Sequence, residues 1–140
     1  NVPTEPADTD SIGITWIGHA TVLIRLGDHW FLTDPVLGER IAAIYPREIE
    51  AGIDPHDLPK LDAILVSHSH FDHLDVPSLR DLGRDTPMFV PAGAGPWMGS
   101  AGFTDVREIA VGGSVDVVHE PLELDADPLG WPVLKTVPPT

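Results

Sequence analysis

The run Asp62-Ala63-Ile64-Leu65-Val66-Ser67 constrains the fold most, because of the segment it leads into. Compact and apolar, it reads as a buried strand. It passes without a break into Ser67-His68-Ser69-His70-Phe71-Asp72-His73-Leu74-Asp75. Beyond that loop, residues 77–84 (PSLRDLGR) place Leu79 and Leu82 three apart behind a proline suited to a first helical turn, so a short helix is predicted. A buried strand that ends in a polar loop and continues into a helix belongs to a layered α/β arrangement. Such layers carry their chemistry at the strand ends.

The opening of the chain supplies more strands. Ile12–Ile17 is a short β-branched run closed by Gly18, and residues 20–26 and 29–33 flank Gly27-Asp28. That pattern predicts an initial strand and then a tight hairpin. Asp34-Pro35 ends the third strand, because proline cannot continue a central ladder. Residues 36–60 hold Gly38, Pro46, Gly52, Pro55 and Pro59, which predicts a long surface excursion with at most one helical turn near 38–44. Residues 87–91 and 105–110 read as strands, and 94–101 as a short helix carrying Trp97. Residues 114–119 and 133–137 are expected to pair as a hairpin, and residues 1–11 to form a flexible lead-in.

The loop carries the chemistry. In an extended segment His68 and His70 point to the same side, since side chains alternate with period two. Two imidazoles on one side begin a site for a borderline cation such as zinc. Asp72 and His73 come where the chain turns toward the helix and can face a second ion. With 7 histidines in the chain, H-x-H-x-D-H should arise by chance about twice per thousand such sequences. Asp75 is placed to cap the predicted helix.

Composition removes several alternatives. There is no Cys, so thiolate ligation and disulfides are ruled out. A net charge of −14 repels nucleic-acid phosphates and opposes broad docking on anionic membranes. No apolar run is long enough for a membrane span. No signal segment is visible before Asn1, which begins a processed, trimmed or internal start; a cytoplasmic location is expected, with export as the alternative.

The loop SHSHFDHLD resembles the signature of the metallo-β-lactamase superfamily. Residues 15–35 (TWIGHATVLIRLGDHWFLTDP) and 61–75 (LDAILVSHSHFDHLD) are similar to its branch of N-acylphosphatidylethanolamine-hydrolysing phospholipases D and ascorbate-phosphate lactonase-like hydrolases. The resemblance implies an αββα four-layer sandwich, of class α/β (α+β), with residues 12–140 forming mainly its N-terminal half. It implies that His68 and His70 bind one metal ion and Asp72 and His73 another. Asp34 would brace the loop from outside the ligand set, and His19, matching the family's Gly-His pair, would line the site. The expected cofactor is Zn2+, two ions per chain, with Mn2+ or Fe2+ as alternatives. Ser67, His29 and His56 are expected to be structural or solvated, and His119 satisfied or exposed.

The family completes each ion's shell with later His and carboxylate ligands. Residues 133–140 (VLKTVPPT) are similar to the strand before the first of these, so the remaining ligands are expected beyond Thr140. Taken alone, the 140 residues are then expected to be inactive and prone to associate. The function implied is hydrolysis of a phosphodiester by a metal-activated water, with Asp72 as proton acceptor. A lactonase acting on a small sugar acid or its phosphate is the alternative, and a non-catalytic metal-binding module or inactive fragment is the reading from a different class. Partners would be a small-molecule or lipid substrate, with no nucleic acid.

Overall fold

The computed structural model describes residues 12–117, with the backbone of 124–126 and 132–134; the lead-in 1–11 and His119 lie outside the described residues. Strands β1 (Ile12–Gly18), β2 (Thr21–Leu26) and β3 (His29–Thr33) open the chain. They pair antiparallel, and Leu26 faces His29 across a two-residue turn that Gly27 enters at φ 57°. That turn needs a positive φ, which glycine adopts without steric cost.

After β3 the sheet changes character. Strands β6 (Ala63–Leu65), β7 (Met88–Pro91) and β8 (Val106–Ile109) add in parallel, giving the order β1-β2-β3-β6-β7-β8. Parallel neighbours need crossovers. The excursion 34–62 makes the first, α1 (Val76–Asp81) the second and α2 (Gly95–Ser100) the third. The ends of β3 and β6 therefore emerge side by side at one edge. Asp34 comes directly after one and Ser67 shortly after the other, and Asp34 N–H donates to the Leu65 carbonyl at 2.9 Å.

Alternation sorts the strands into two faces. Leu23, Leu32, Ile64 and Met88 sit in register across four neighbouring strands and are buried. Leu79 of α1, Met98 of α2, Leu74 and Phe103 close over them. Both helices thus cover the same face. The other face carries Phe31, Ala63 and Phe89, with Ile24, Leu65 and Ile109 only partly buried around them. Leu32→Ala should cost about 2–5 kcal/mol, because it opens a cavity in a residue at 0% exposure. Urea unfolding measures this; a change below about 0.5 kcal/mol would mean that the helix layer collapses freely onto the sheet.

Helix α1 begins as its sequence directs. The Asp75 carboxylate accepts from Ser78 N–H at 3.1 Å and from Ser78 Oγ at 2.6 Å, and Pro77 occupies the first turn. The same Ser78 Oγ accepts from Leu37 N–H at 2.8 Å, fastening the start of the excursion to the helix.

One expectation is narrowed and one is corrected. Residues 38–44 make no helical turn; β4 (Arg40–Ile41) and β5 (Tyr45–Pro46) form a small antiparallel ribbon. Ala42 and Ala43 reverse the chain at φ 53° and 61°, a left-handed pair that no right-handed helix can contain. At the other end, residues 114–117 are not in a strand, and the hairpin pairs β9 (Leu124–Ala126) with β10 (Pro132–Leu134). Among the described residues no helix is long and apolar enough to cross a membrane.

Candidate metal centre

The chain leaves β6 at Leu65 and is held at once. Val66 N–H donates to the Phe89 carbonyl at 2.8 Å, and Ser67 N–H to Asp34 Oδ1 at 2.7 Å. Residues 70–73 then turn sharply, with His73 N–H and Leu74 N–H both donating to the His70 carbonyl at 2.9 and 2.8 Å. Leu74 is 1% exposed and anchors the end of the turn in the core. The turn folds the loop back on itself, so the rings of His68 and His73 come to 4.0 Å between centroids and those of His68 and His70 to 4.7 Å.

Asp34 is the buried hinge of the arrangement. Its main chain is pinned on the carbonyl side by Thr21 Oγ1 at 2.8 Å, and it holds φ 36°, a rare conformation for a residue with a side chain. From there the carboxylate reaches Ser67 Oγ at 2.6 Å and His73 Nδ1 at 2.9 Å. A carboxylate only accepts, so His73 carries a proton on Nδ1, and its neutral form presents Nε2 as a lone pair. The reasoning extends to His68. Ser67 gives its one hydroxyl proton to Asp34, so His68 Nδ1, 2.8 Å from Ser67 Oγ, must donate to that oxygen. Its Nε2 is then also left as a lone pair. One carboxylate thereby sets the tautomer of two imidazoles.

Asp72 stands between the two groups of histidines. Its Oδ2 lies 3.3 Å from His19 Nε2 and 3.5 Å from His73 Nε2. Burial raises its carboxyl, but its own backbone N–H, the charge of His73 and the hydrogen bond and charge of His19 outweigh that, and the group rests below the ordinary carboxylate value. His68, His70 and Asp72 offer ligand atoms within 4.8 Å of one another, and so do His19, Asp72 and His73. Neutral imidazole nitrogens and a carboxylate oxygen at such spacing suit a borderline divalent cation, so the residues fit the expected metal.

The structure brings His68, His70, Asp72, His73, Asp34 and His19 together. Ser67, expected to be structural or solvated, is part of the brace; its place directly after the strand and beside His68 was the available signal. His29 pairs with Asp62 at 3.3 Å at the start of β3, and His56 lies in the 3-10 turn Pro55–Asp57. Neither joins a ligand group among the described residues. A hollow of about 480 Å³ adjoins His19, walled by the apolar Trp16, Ile17, Ile41 and Ile49 and by the charged Arg47, Glu48 and Glu50. Another of about 290 Å³ lies beside Phe71 and Trp97 and is mostly apolar.

A family model described as a Beta-lactamase superfamily domain matches residues 29–129. N-acyl-phosphatidylethanolamine-hydrolyzing phospholipase D 1 of Caenorhabditis elegans is 38% identical over 116 residues, covering 74% of this chain and 33% of that protein. The chain thus spans about a third of that relative's length. Among solved structures, CmlA, a diiron β-hydroxylase of Streptomyces venezuelae, is similar with TM-score 0.57 and 31% identity, over 76% of this chain and 22% of that one. The isothiocyanate hydrolase from Delia radicum gut bacteria shares the fold with TM-score 0.59 at 24% identity, over 69% of this chain and 41% of that one.

Proposed function

Because this chain belongs to the metallo-β-lactamase superfamily, we propose that its histidine loop holds two divalent cations and that the protein hydrolyses a phosphodiester. The observation that carries this reading is the convergence of His68, His70, Asp72 and His73 on one short turn, with tautomers set by Asp34. His68 and His70 hold one ion; Asp72 and His73 hold the other. When bound, the cations supply a water acidic enough to attack near neutral pH and positive charge for the oxygens on which negative charge builds.

The chain's own residues do the rest. Asp34 keeps the His73 ring in one orientation, and through Ser67 the His68 ring as well, so the donors are arranged before any ligand arrives. The Asp72 carboxylate has two oxygens. One can hold a cation while the other takes the proton of the attacking water. Zinc is the expected metal on the softness of this donor set, with manganese or iron as alternatives. A phosphodiester with an apolar portion, such as a phospholipid headgroup, is favoured over a sugar-acid lactone by the hollow at His19, where Trp16, Ile17, Ile41 and Ile49 offer apolar contact. The Arg47 guanidinium in that wall is turned to main-chain carbonyls, Nη1 to Val36 at 2.7 Å and Nε to Ile49 at 3.2 Å.

Elemental analysis after mild purification of a protein that carries the complete ligand set should find close to two transition-metal ions per chain. Phospholipid phosphodiesters and sugar-acid lactones, each assayed with and without a chelator, test the chemistry. Chelator-sensitive release of a phospholipid headgroup is expected. Absence of bound metal even after reconstitution would overturn the metal reading, and turnover of lactones alone would overturn the substrate.

A further inference from the structure

We propose that Arg47 is a positioning residue for substrate selection, the prop that sets the width of the hollow beside His19; this rests on the reading that the hollow holds part of the substrate. The β4–β5 ribbon walls that hollow and has little else to hold it. Residues 38–50 are exposed or half-buried, and none of them packs into either core cluster; the core takes Leu37 before them and Ala51 after them. The ribbon pairs only Arg40 with Pro46 and Ile41 with Tyr45, too little for two strands to keep their place in water. Among the described residues, the hydrogen bond that leaves this segment comes from the Arg47 guanidinium, whose Nη1 donates to the Val36 carbonyl at 2.7 Å. Val36 is a fixed point. It is buried, and its N–H donates to Thr21 Oγ1 at 3.1 Å, the same hydroxyl that pins the Asp34 carbonyl.

The same guanidinium reaches two further parts of the hollow. Its Nε donates to the Ile49 carbonyl at 3.2 Å, which holds the far limb of the ribbon. Its Nη2 lies so close against Gly18 that a Cβ on that glycine would stand 2.6 Å from it. Gly18 ends β1, directly before His19, so one side chain spans from the ribbon to the sheet. A planar fork can direct N–H groups to two carbonyls while resting on a glycine; a point charge on a flexible stem cannot. Among the described residues no carboxylate pairs with Arg47, although Glu48 and Glu50 line the same hollow. In a chain with 22 acidic residues, a guanidinium committed to main-chain carbonyls is used for its shape. Without the fork the ribbon is free to swing and the hollow loses its fixed width. The loop after β6 keeps its own brace in Asp34.

The test compares Arg47→Met and Arg47→Lys with the native form of a protein that carries the complete ligand set. Two diesters are assayed: a short-chain phosphatidylcholine, and bis(p-nitrophenyl) phosphate, which is too small to fill the hollow. In Arg47→Met the ratio of kcat/KM for the lipid to that for the small diester should drop about tenfold or more, through KM rather than kcat. Arg47→Lys should show most of the same drop, because an ammonium cannot replace the fork. Amide hydrogen exchange at residues 44 and 47, which bond within the ribbon to the Ile41 and Glu39 carbonyls, should speed up in both variants, with exchange across 66–75 as in the native protein. A native ratio in Arg47→Met, an equal loss on both diesters, or unchanged exchange in the ribbon would overturn the role of Arg47 alone. Full rescue by lysine would overturn it as well, since charge without shape would then suffice. A native protein that hydrolyses neither diester would overturn the reading of the site, and the selection role with it.

Discussion

Asp34→Ala should cost about 1–3 kcal/mol of folding stability, because it leaves the buried donors it served without an acceptor. The carboxylate is 6% exposed as a residue and serves Ser67 N–H, Ser67 Oγ and His73 Nδ1 together. Alanine also tolerates φ 36° less well than aspartate, whose short polar side chain suits the left-handed region. Asp34→Asn separates the two effects. Asparagine keeps the backbone preference, but its amide turns a donor toward groups that are themselves donors. Cation affinity should therefore fall about 10–100-fold in Asp34→Asn, as for other groups that orient metal ligands, with a smaller loss of stability than in Asp34→Ala. Urea unfolding and competition with a zinc chelator measure both. Native affinity in Asp34→Asn would mean that the turn at 70–73 fixes the imidazoles unaided.

The largest effect on turnover is expected at Asp72. Asp72→Asn removes the carboxylate that faces His19 and His73 while leaving His68 and His70 in place. In a protein that carries the complete ligand set, turnover should drop by about 10²–10⁴, the range for a lost general base. One ion should remain bound. Loss of both ions to the same degree would show that Asp72 serves the two groups equally, and undiminished turnover would remove it from the chemistry.

Local rules carried much of this fold. Gly27-Asp28 specified the β2–β3 hairpin, Asp75 with Pro77 the start of α1, and the compact run before the loop the buried β6. The loop histidines were legible for the same reason: their donors lie within six residues, so spacing alone brings them near one another. What escaped depends on contacts distant in sequence or on backbone states without a residue signature. Ala42 and Ala43 reverse the chain with neither glycine nor asparagine to announce it. Ser67 joins the brace only because β3 and β6 end side by side. His19 reaches Asp72 across 53 positions, through the pairing of β1 with β2 and β2 with β3.

The connection from β3 to β6 is clamped at both ends, by Asp62 N–H on the Trp30 carbonyl and by Asp34 N–H on the Leu65 carbonyl. Within those clamps it contributes Ile41, Arg47, Glu48, Ile49 and Glu50 to the hollow beside His19 and none of the proposed cation donors. Closing a loop twice as long costs only about 0.6 kcal/mol more. Under the proposed function, the residues that would admit a substrate and those that would hold the cations therefore lie on largely separate stretches of chain. Insertions at the exposed tip of the excursion, around Ala43 and Ile44, can reshape the hollow, while Gly52, held to the Ile17 carbonyl at 2.7 Å, and the packed Ile53 and Leu58 tie the rest of it to the sheet.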